Sequence, residues 1–267
     1  MTSAATIQDM RPRLGAVFAH PDDDAYLIGG SLALHAGDID ATIVLCTSGG
    51  NRPIWEPVAT RETLGPVREQ EQAAWLRAIG LPDARVEFLR YEDWHLPEVP
   101  LEGAVRRVEA ILREAAPQVV VTFGPDGVKR HHDHVRAGEI GTEAFHRASG
   151  DAAPGTFLRL YHACLRRSSI DEYYAAGAER GLPLGDQDTF LNPVGVPDER
   201  IAVDVDVTPV YARKLDAIRR HRSQIGELDR IPRDLQPLHL AHECFVQAWP
   251  RLERPDRVAA DLFDGLG

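Results

Sequence analysis

Lysine is nearly absent from this chain, cysteine is sparse, and no apolar run is long. In 267 residues lysine occurs only at Lys129 and Lys214, so arginine supplies almost all of the positive charge. The cysteines, Cys46, Cys164 and Cys244, lie far apart. Their spacing excludes a disulfide framework and a zinc-finger pattern, and suits buried reduced thiols. No apolar stretch approaches the roughly 18–20 residues needed to span a bilayer. Residues 1–13 are polar and lack a signal-type apolar segment. The expectation is a soluble, cytoplasmic protein with no membrane partner. Net positive charge is missing too: 30 Lys+Arg against 41 Asp+Glu leaves −11. A surface of that sign repels a phosphate backbone, which argues against nucleic acid as a partner. Nothing in the sequence reports the oligomeric state.

What is present is an alternation of strand and helix signals. The chain is 43% hydrophobic, enough for a sizeable core. Strands are predicted at Leu14–Ala19, Ala41–Cys46, Arg85–Leu89 and Val119–Phe123. The last is a β-branched run typical of a strand buried on both faces. Helices are predicted at Tyr26–His35, Arg61–Ile79, Leu101–Ala115 and Val135–Ala148. This order predicts an α/β fold, a doubly wound, mostly parallel Rossmann-like sheet flanked by helices. After residue 150 the pattern loosens. Phe157–Ala163 and Ile201–Val207 read as strands, Pro209–His221 as a helix, and 181–200 as a loop. The reading is a single domain over 1–267, with a core at about 13–150 and a C-terminal elaboration over about 151–267.

Two charged clusters follow predicted strands. His20-Pro21-Asp22-Asp23-Asp24 comes after the first, and His131-His132-Asp133-His134 after the fourth. In an open α/β sheet the carboxyl ends of the strands form the ligand-binding edge. Either cluster alone could be a solvated turn; both at one edge suggest a divalent-metal hydrolase. A catalytic zinc typically takes three protein ligands and leaves a position for water, whose pKa falls from ~15.7 to about 7. His20 and Asp23 lie across a tight turn and can face one ion, and His134 is the best third ligand. Asp22, between two ligands, is placed to act as general base. His131 is placed to polarise a carbonyl, stabilise an oxyanion or protonate a leaving amine. Asp133 is expected to fix its tautomer and raise its pKa. His132 reads as a bystander. The donor set suits Zn2+, one per chain, and would also accept Fe2+, cobalt or nickel.

The chain resembles the LmbE-like (PIG-L) family of zinc-dependent N-deacetylases. Ala19-His20-Pro21-Asp22-Asp23-Asp24 resembles the family's Ala-His-Pro-Asp-Asp-Glu motif in all but its last position, and His131-His132-Asp133-His134 resembles its His-x-Asp-His motif. Thr47-Ser48-Gly49-Gly50, Arg68 with Glu71, the segment Lys214, His221, Ser223 and Gln224, and Glu243 with Phe245 are similar to further family signatures. The resemblance implies zinc on His20, Asp23 and His134, Asp22 as general base, His131 stabilising the oxyanion and assisting the leaving amine, and Asp133 orienting His131. It also implies a small-molecule substrate, an N-acetylated amino sugar or its conjugate. Arg68 reads as a substrate contact or as a helix-surface ion pair with Glu71. Lys129 and Arg130 read as a binding place for an anionic substrate group or as a solvated loop.

Two rival readings remain. The same fold and ligand set can support a hydratase of an unsaturated carboxylate, which releases no acetate. A dinucleotide-binding role would need G-x-G-x-x-G after the first strand, where this chain has three carboxylates, and a pure binding or scaffold role would leave both charged clusters unexplained.

Overall fold

Five strands run parallel through the centre of the molecule and two antiparallel strands extend the sheet on one side. The structure is a computed structural model that describes residues 11–55, 57–184 and 191–266. In chain order the elements are β1 (Arg13–Phe18), α1 (Asp23–Leu27), α2 (Gly29–Leu34), β2 (Asp40–Thr47), α3 (Leu64–Ile79), β3 (Arg85–Tyr91), α4 (Leu101–Ala115) and β4 (Val119–Phe123). There follow an irregular turn α5 (Gly127–Arg130), α6 (His132–Ser149), β5 (Arg159–Arg166), α7 (Arg167–Glu179), β6 (Gly195–Val196), β7 (Val203–Asp206), α8 (Tyr211–Ile218), α9 (Gly226–Asp229), α10 (Gln236–Leu240) and β8 (His242–Trp249). The strand order is β3-β2-β1-β4-β5-β8-β7, with β6 pairing beside β5. Strands β3, β2, β1, β4 and β5 are parallel. Strand β8 runs antiparallel to β5, and β7 antiparallel to β8.

The fold is the expected α/β class, with a mainly parallel sheet flanked by helices. From β1 the chain winds outward through β2 to β3, then crosses back to β4 on the other side of β1. The crevice between the ends of β1 and β4 is therefore the topological switch point, where such sheets bind ligands. All five residues of β4 are buried. Its Phe123 meets Phe18 of β1 edge-to-face, with ring centroids 5.0 Å apart. Helix α6 lies very close on β4: a Cβ at Gly138 would stand 2.6 Å from the Phe123 carbonyl, and one at Gly141 2.6 Å from Thr122 Oγ1. That approach seats the start of α6 at the crevice.

Several boundaries differ from expectation. The helix predicted over Tyr26–His35 is two short helices, broken at Ile28 (φ −137°). The second has its own N-terminus because the Glu243 carboxylate accepts from the N–H groups of Gly30 and Ser31 at 2.6 and 2.7 Å. Helix α6 begins at His132 rather than Val135, which puts Asp133 and His134 in its first turn. Helix α7 and strand β8 were not anticipated, and part of the predicted loop 181–200, residues 185–190, lies outside the described residues. All three cysteines are buried and free. Among the described residues no helix is long and apolar enough to cross a membrane.

Candidate active site

His20 leaves the end of β1, and Pro21 and Asp22 turn the chain into α1. Asp22 sits at φ 101°, a region that non-glycine residues rarely occupy and that is enriched at functional turns. The turn is closed by the His20 N–H, which donates to Asp23 Oδ2 at 2.8 Å. A cavity of about 260 Å³ opens here, bordered by His20, Asp22, Asp23, Arg68, Lys129 and His134 among others.

The donor atoms of His20, Asp23 and His134 all lie within 4.8 Å of one another, and all three residues are buried. His20 Nδ1 is 3.3 Å from Asp23 Oδ2, and His134 Nε2 is 3.2 Å from Asp23 Oδ1. Each imidazole has its other nitrogen engaged. His134 Nδ1 is 3.0 Å from the Gly127 carbonyl, and His20 Nε2 is 3.1 Å from Asp93 Oδ1 and 3.2 Å from Asp133 Oδ2. Metal-ligating histidines commonly carry such outer partners, which fix tautomer and ring orientation. The His134 ring is stacked between Phe123 at 4.2 Å and His131 at 4.7 Å, which holds its rotamer.

Charge also favours a cation. Asp23, Asp93 and Asp133 crowd one imidazole. Burial works to lower the His20 pKa, but the Asp23 charge and the carboxylate hydrogen bonds outweigh it and hold it well above the usual histidine value. Burial works against Asp23 ionising, and the two histidines overcome it, keeping Asp23 well below the usual carboxylate range. A pocket with more buried carboxylate than cation is one that a divalent ion completes. Two imidazole nitrogens and a carboxylate fit zinc, which would take the place of the His20 proton.

Asp22 borders the cavity beside this set. Burial raises its pKa to about 6, opposed by the nearby Arg68 charge. Arg68, wholly buried on α3, lies 3.0 Å from Asp22 Oδ2 and donates to the carbonyls of Gly49 and Pro21. It does not pair with Glu71: that carboxylate accepts from the Ser223 N–H and hydroxyl at 2.8 and 2.6 Å. Asp24 points away from the cavity and accepts from Gln72 Nε2 at 2.6 Å, with burial raising its pKa to about 8.

His131 caps α6. Its Nδ1 accepts from the Asp133 N–H at 3.2 Å, which leaves Nε2 as the protonated nitrogen of the neutral ring. The expected arrangement, an Asp133 carboxylate orienting His131 and raising its pKa, is not what forms. That carboxylate accepts from the N–H groups of Trp94 and Leu96 and faces His20. Burial and the charges of His20, His134, Lys129 and Arg52 push the His131 pKa down to about 2, the opposite direction. Only the backbone of Asp133 serves His131, because helix α6 starts a turn earlier than predicted. His132 lies outside the cavity, in a shallow depression with Pro97, Arg130 and Arg136.

Sequence reasoning missed Asp93, Trp94 and Arg52. Asp93 follows β3 at the same sheet edge, so the rule that drew attention to the two clusters would have found it. Trp94 (φ 73°) packs its ring 4.6 Å from His131. Arg52 comes from the loop after β2, 3.5 Å from His131 Nε2 and 3.3 Å from Glu227 Oε1. The remaining signature residues sit elsewhere: Lys214 pairs with Glu243 in the core, and Gln224 donates to the Pro53 carbonyl.

The chain is also similar to known proteins. Residues 16–145 match the family described as PIG-L, GlcNAc-PI de-N-acetylase. The chain is 32% identical to a 1D-myo-inositol 2-acetamido-2-deoxy-alpha-D-glucopyranoside deacetylase of Streptomyces griseus, over 95% of this chain and 89% of that protein. It is 32% identical to the protein of the same name from Actinosynnema mirum, over 96% and 98%. Among solved structures, N,N'-diacetylchitobiose deacetylase from Pyrococcus horikoshii shares the fold with a TM-score of 0.61 at 20% identity, covering 90% of this chain and 84% of that one. A 4-carboxy-2-hydroxymuconate hydratase from Pseudomonas putida also has a TM-score of 0.61, at 18% identity, covering 90% and 98%.

Proposed function

The chain belongs to the PIG-L family of de-N-acetylases, and we propose on that premise that it is a metal-dependent hydrolase that removes the acetyl group from an N-acetylated amino sugar or its conjugate. The observation that carries the proposal is the convergence of His20, Asp23 and His134 on one point at the rim of the cavity that Asp22 also borders. The relatives named for deacetylating an N-acetylglucosaminyl inositol support the substrate class, a small N-acetylated sugar conjugate.

His20, Asp23 and His134 would hold the ion, with Zn2+ favoured by the donor set and Fe2+ compatible with it. When bound, a divalent ion supplies Lewis acidity, polarising the acetamide carbonyl and making water a nucleophile near neutral pH. The chain's own residues do the rest. The Asp22 carboxylate takes a proton from the attacking water and returns it to the departing amine. Arg68 holds that carboxylate in place and keeps part of it ionised against the cost of burial. Both terminal nitrogens of Arg68 are engaged by protein acceptors, so we assign it to positioning Asp22 rather than to contact with substrate. His131, neutral and protonated on Nε2, donates to the oxyanion that develops on the substrate. Asp93 and Asp133 orient His20. We treat the chain as one domain, because β7 and β8 of the elaboration continue the core sheet.

The test is metal content and acetate release on one purified sample, offered N-acetylglucosamine and several N-acetylglucosaminyl conjugates with and without a chelator. About one ion per chain and chelator-sensitive acetate are expected. Metal without acetate from any amide would sink the deacetylase reading and move weight to hydration of an unsaturated carboxylate.

A further inference from the structure

The turn α5 is strained. Gly127 (φ 57°), Val128 (φ 64°) and Arg130 (φ 56°) all have positive φ, with Lys129 between them at φ −136°. For a β-branched residue such as Val128 this conformation is unfavourable and persists only where the surroundings impose it. Here they do: the Val128 carbonyl accepts from the Val194 N–H at 2.6 Å, and the Arg130 N–H donates to Asp126 at 2.9 Å. The consequence is that consecutive side chains part company. Lys129 borders the cavity with His20, Asp22 and His134, whereas Arg130 borders the separate depression that holds His132.

The other cations around the cavity are engaged. Arg68 is on Asp22, Arg52 is 3.3 Å from Glu227, and the Arg230 guanidinium lies 4.7 Å from the Trp55 ring centroid. Among the described residues no carboxylate is within ion-pairing distance of the Lys129 ammonium. An ammonium that faces a cavity, with no carboxylate partner among the described residues, loses hydration when a ligand enters. A sugar hydroxyl repays that loss poorly, and a carboxylate or phosphate repays it with a charge-assisted hydrogen bond.

We propose that Lys129 is a specificity-determining residue and that the preferred substrate is an N-acyl compound carrying an anionic group, a carboxylate or phosphate, which its ammonium holds. This deepens the deacetylase reading and rests on it for the placement of the reacting amide.

The experiment compares N-acetylglucosamine with N-acetylglucosamine 6-phosphate, N-acetylglucosamine 1-phosphate and N-acetylmuramic acid on the metal-loaded full chain. The wild type, Lys129→Met, Lys129→Arg and Arg130→Met are assayed by acetate release. Binding of glucosamine and glucosamine 6-phosphate, amines that need no turnover, is measured by calorimetry on the same proteins. At least one anionic substrate is expected to exceed the neutral sugar in kcat/KM by on the order of tenfold to a hundredfold, the scale of one charge-assisted hydrogen bond. Lys129→Met should bring that ratio to about one, Lys129→Arg should keep most of it, and Arg130→Met should leave it unchanged. A wild type without anionic preference, or a preference that survives Lys129→Met, overturns the proposal. If no substrate releases acetate, the deacetylase reading fails, and the calorimetry decides this one separately. Phosphate-dependent binding lost in Lys129→Met supports it, and equal affinities for the two amines overturn it.

Discussion

Lys214 Nζ lies 2.7 Å from Glu243 Oε1, and neither side chain reaches solvent. The Glu243 carboxylate also accepts from the Gly30 and Ser31 N–H groups and from the Ser31 hydroxyl, at 2.6 to 2.7 Å. A residue of the last strand thus caps the helix that follows the His20–Asp24 turn, and Lys214 neutralises the cap. Removing one member of a buried pair leaves an uncompensated charge and costs roughly 3–5 kcal/mol. Lys214→Met is expected to destabilise by about that amount in urea unfolding. Glu243→Gln should cost about 2 kcal/mol or more, since its amide can satisfy only part of the donor set. The double variant should lose less than the sum. Additive losses below about 1 kcal/mol would show that the pair does not tie the elaboration to the core.

Asp93 supplies a second prediction. It stands 3.1 Å behind His20, on the nitrogen facing away from Asp23, and its pKa is held below the usual range despite burial by the hydrogen bond to His20. Losing such an outer partner typically weakens metal affinity by 10–100-fold. Asp93→Asn keeps the shape and removes the charge. It is expected to lower zinc affinity by roughly that factor in a competition titration with a coloured chelator, with little change in unfolding midpoint of the metal-free protein. Wild-type affinity in this variant would mean that Asp93 only shapes the loop.

The Asp22–Arg68 contact predicts a pH shift. The Arg68 charge lowers the Asp22 pKa, against burial, which raises it to about 6. A general base works as the carboxylate, so activity should fall as pH drops through that pKa. Arg68→Met removes the lowering effect. The acid limb of kcat/KM against pH should then move upward by about one unit or more, on top of a loss of turnover. Asp22→Asn should lower turnover by about a hundredfold or more and remove that limb. A limb that stays in place in Arg68→Met would mean another group controls it.

The first two thirds of the fold was legible because its signals are local. Val119–Phe123 is a β-branched run bounded by Pro117 and Gly124, and the structure keeps it as β4 with the predicted bounds. Leu101–Ala115 carries its apolar residues on one face and is the predicted helix α4. Strand β8 was not legible, because His242–Trp249 mixes polar and apolar residues and is defined by antiparallel pairing with two strands far away in sequence. The break at Ile28 was hidden for a related reason: its cause is a carboxylate more than two hundred positions later. At the site, the two clusters could be read from their place after strands. The reversal at Asp133 could not, because it depends on where α6 begins. A shift of three residues turns its carboxylate toward Trp94 and Leu96 and leaves only its N–H for His131.

His35 and Asp261 join the end of α2 to the C-terminal segment, with Nε2 and Oδ2 2.6 Å apart and both side chains partly exposed. The hydrogen bond that His35 donates to the Asp261 carboxylate is the main reason the His35 pKa is raised, ahead of a counteracting desolvation. The Asp261 pKa is lowered, with burial opposing and the His35 hydrogen bond prevailing. The two shifts set a window. A histidine raised in the folded state stabilises fully below its unfolded value of about 6.5, and that contribution is lost as pH rises through the folded value. A depressed carboxylate stabilises above about 3.9 and loses its contribution as pH falls through its folded value. The pair is therefore strongest between about pH 4 and 6.5. Its worth there is about 1 kcal/mol or less, because solvent screens a partly exposed pair. The deficits of His35→Gln and Asp261→Asn in unfolding free energy should peak near pH 5–6, shrink toward pH 9, and diminish in high salt. A deficit constant from pH 5 to 9 would assign this contact to packing against Phe263, whose ring centroid lies 5.5 Å from that of His35, rather than to charge.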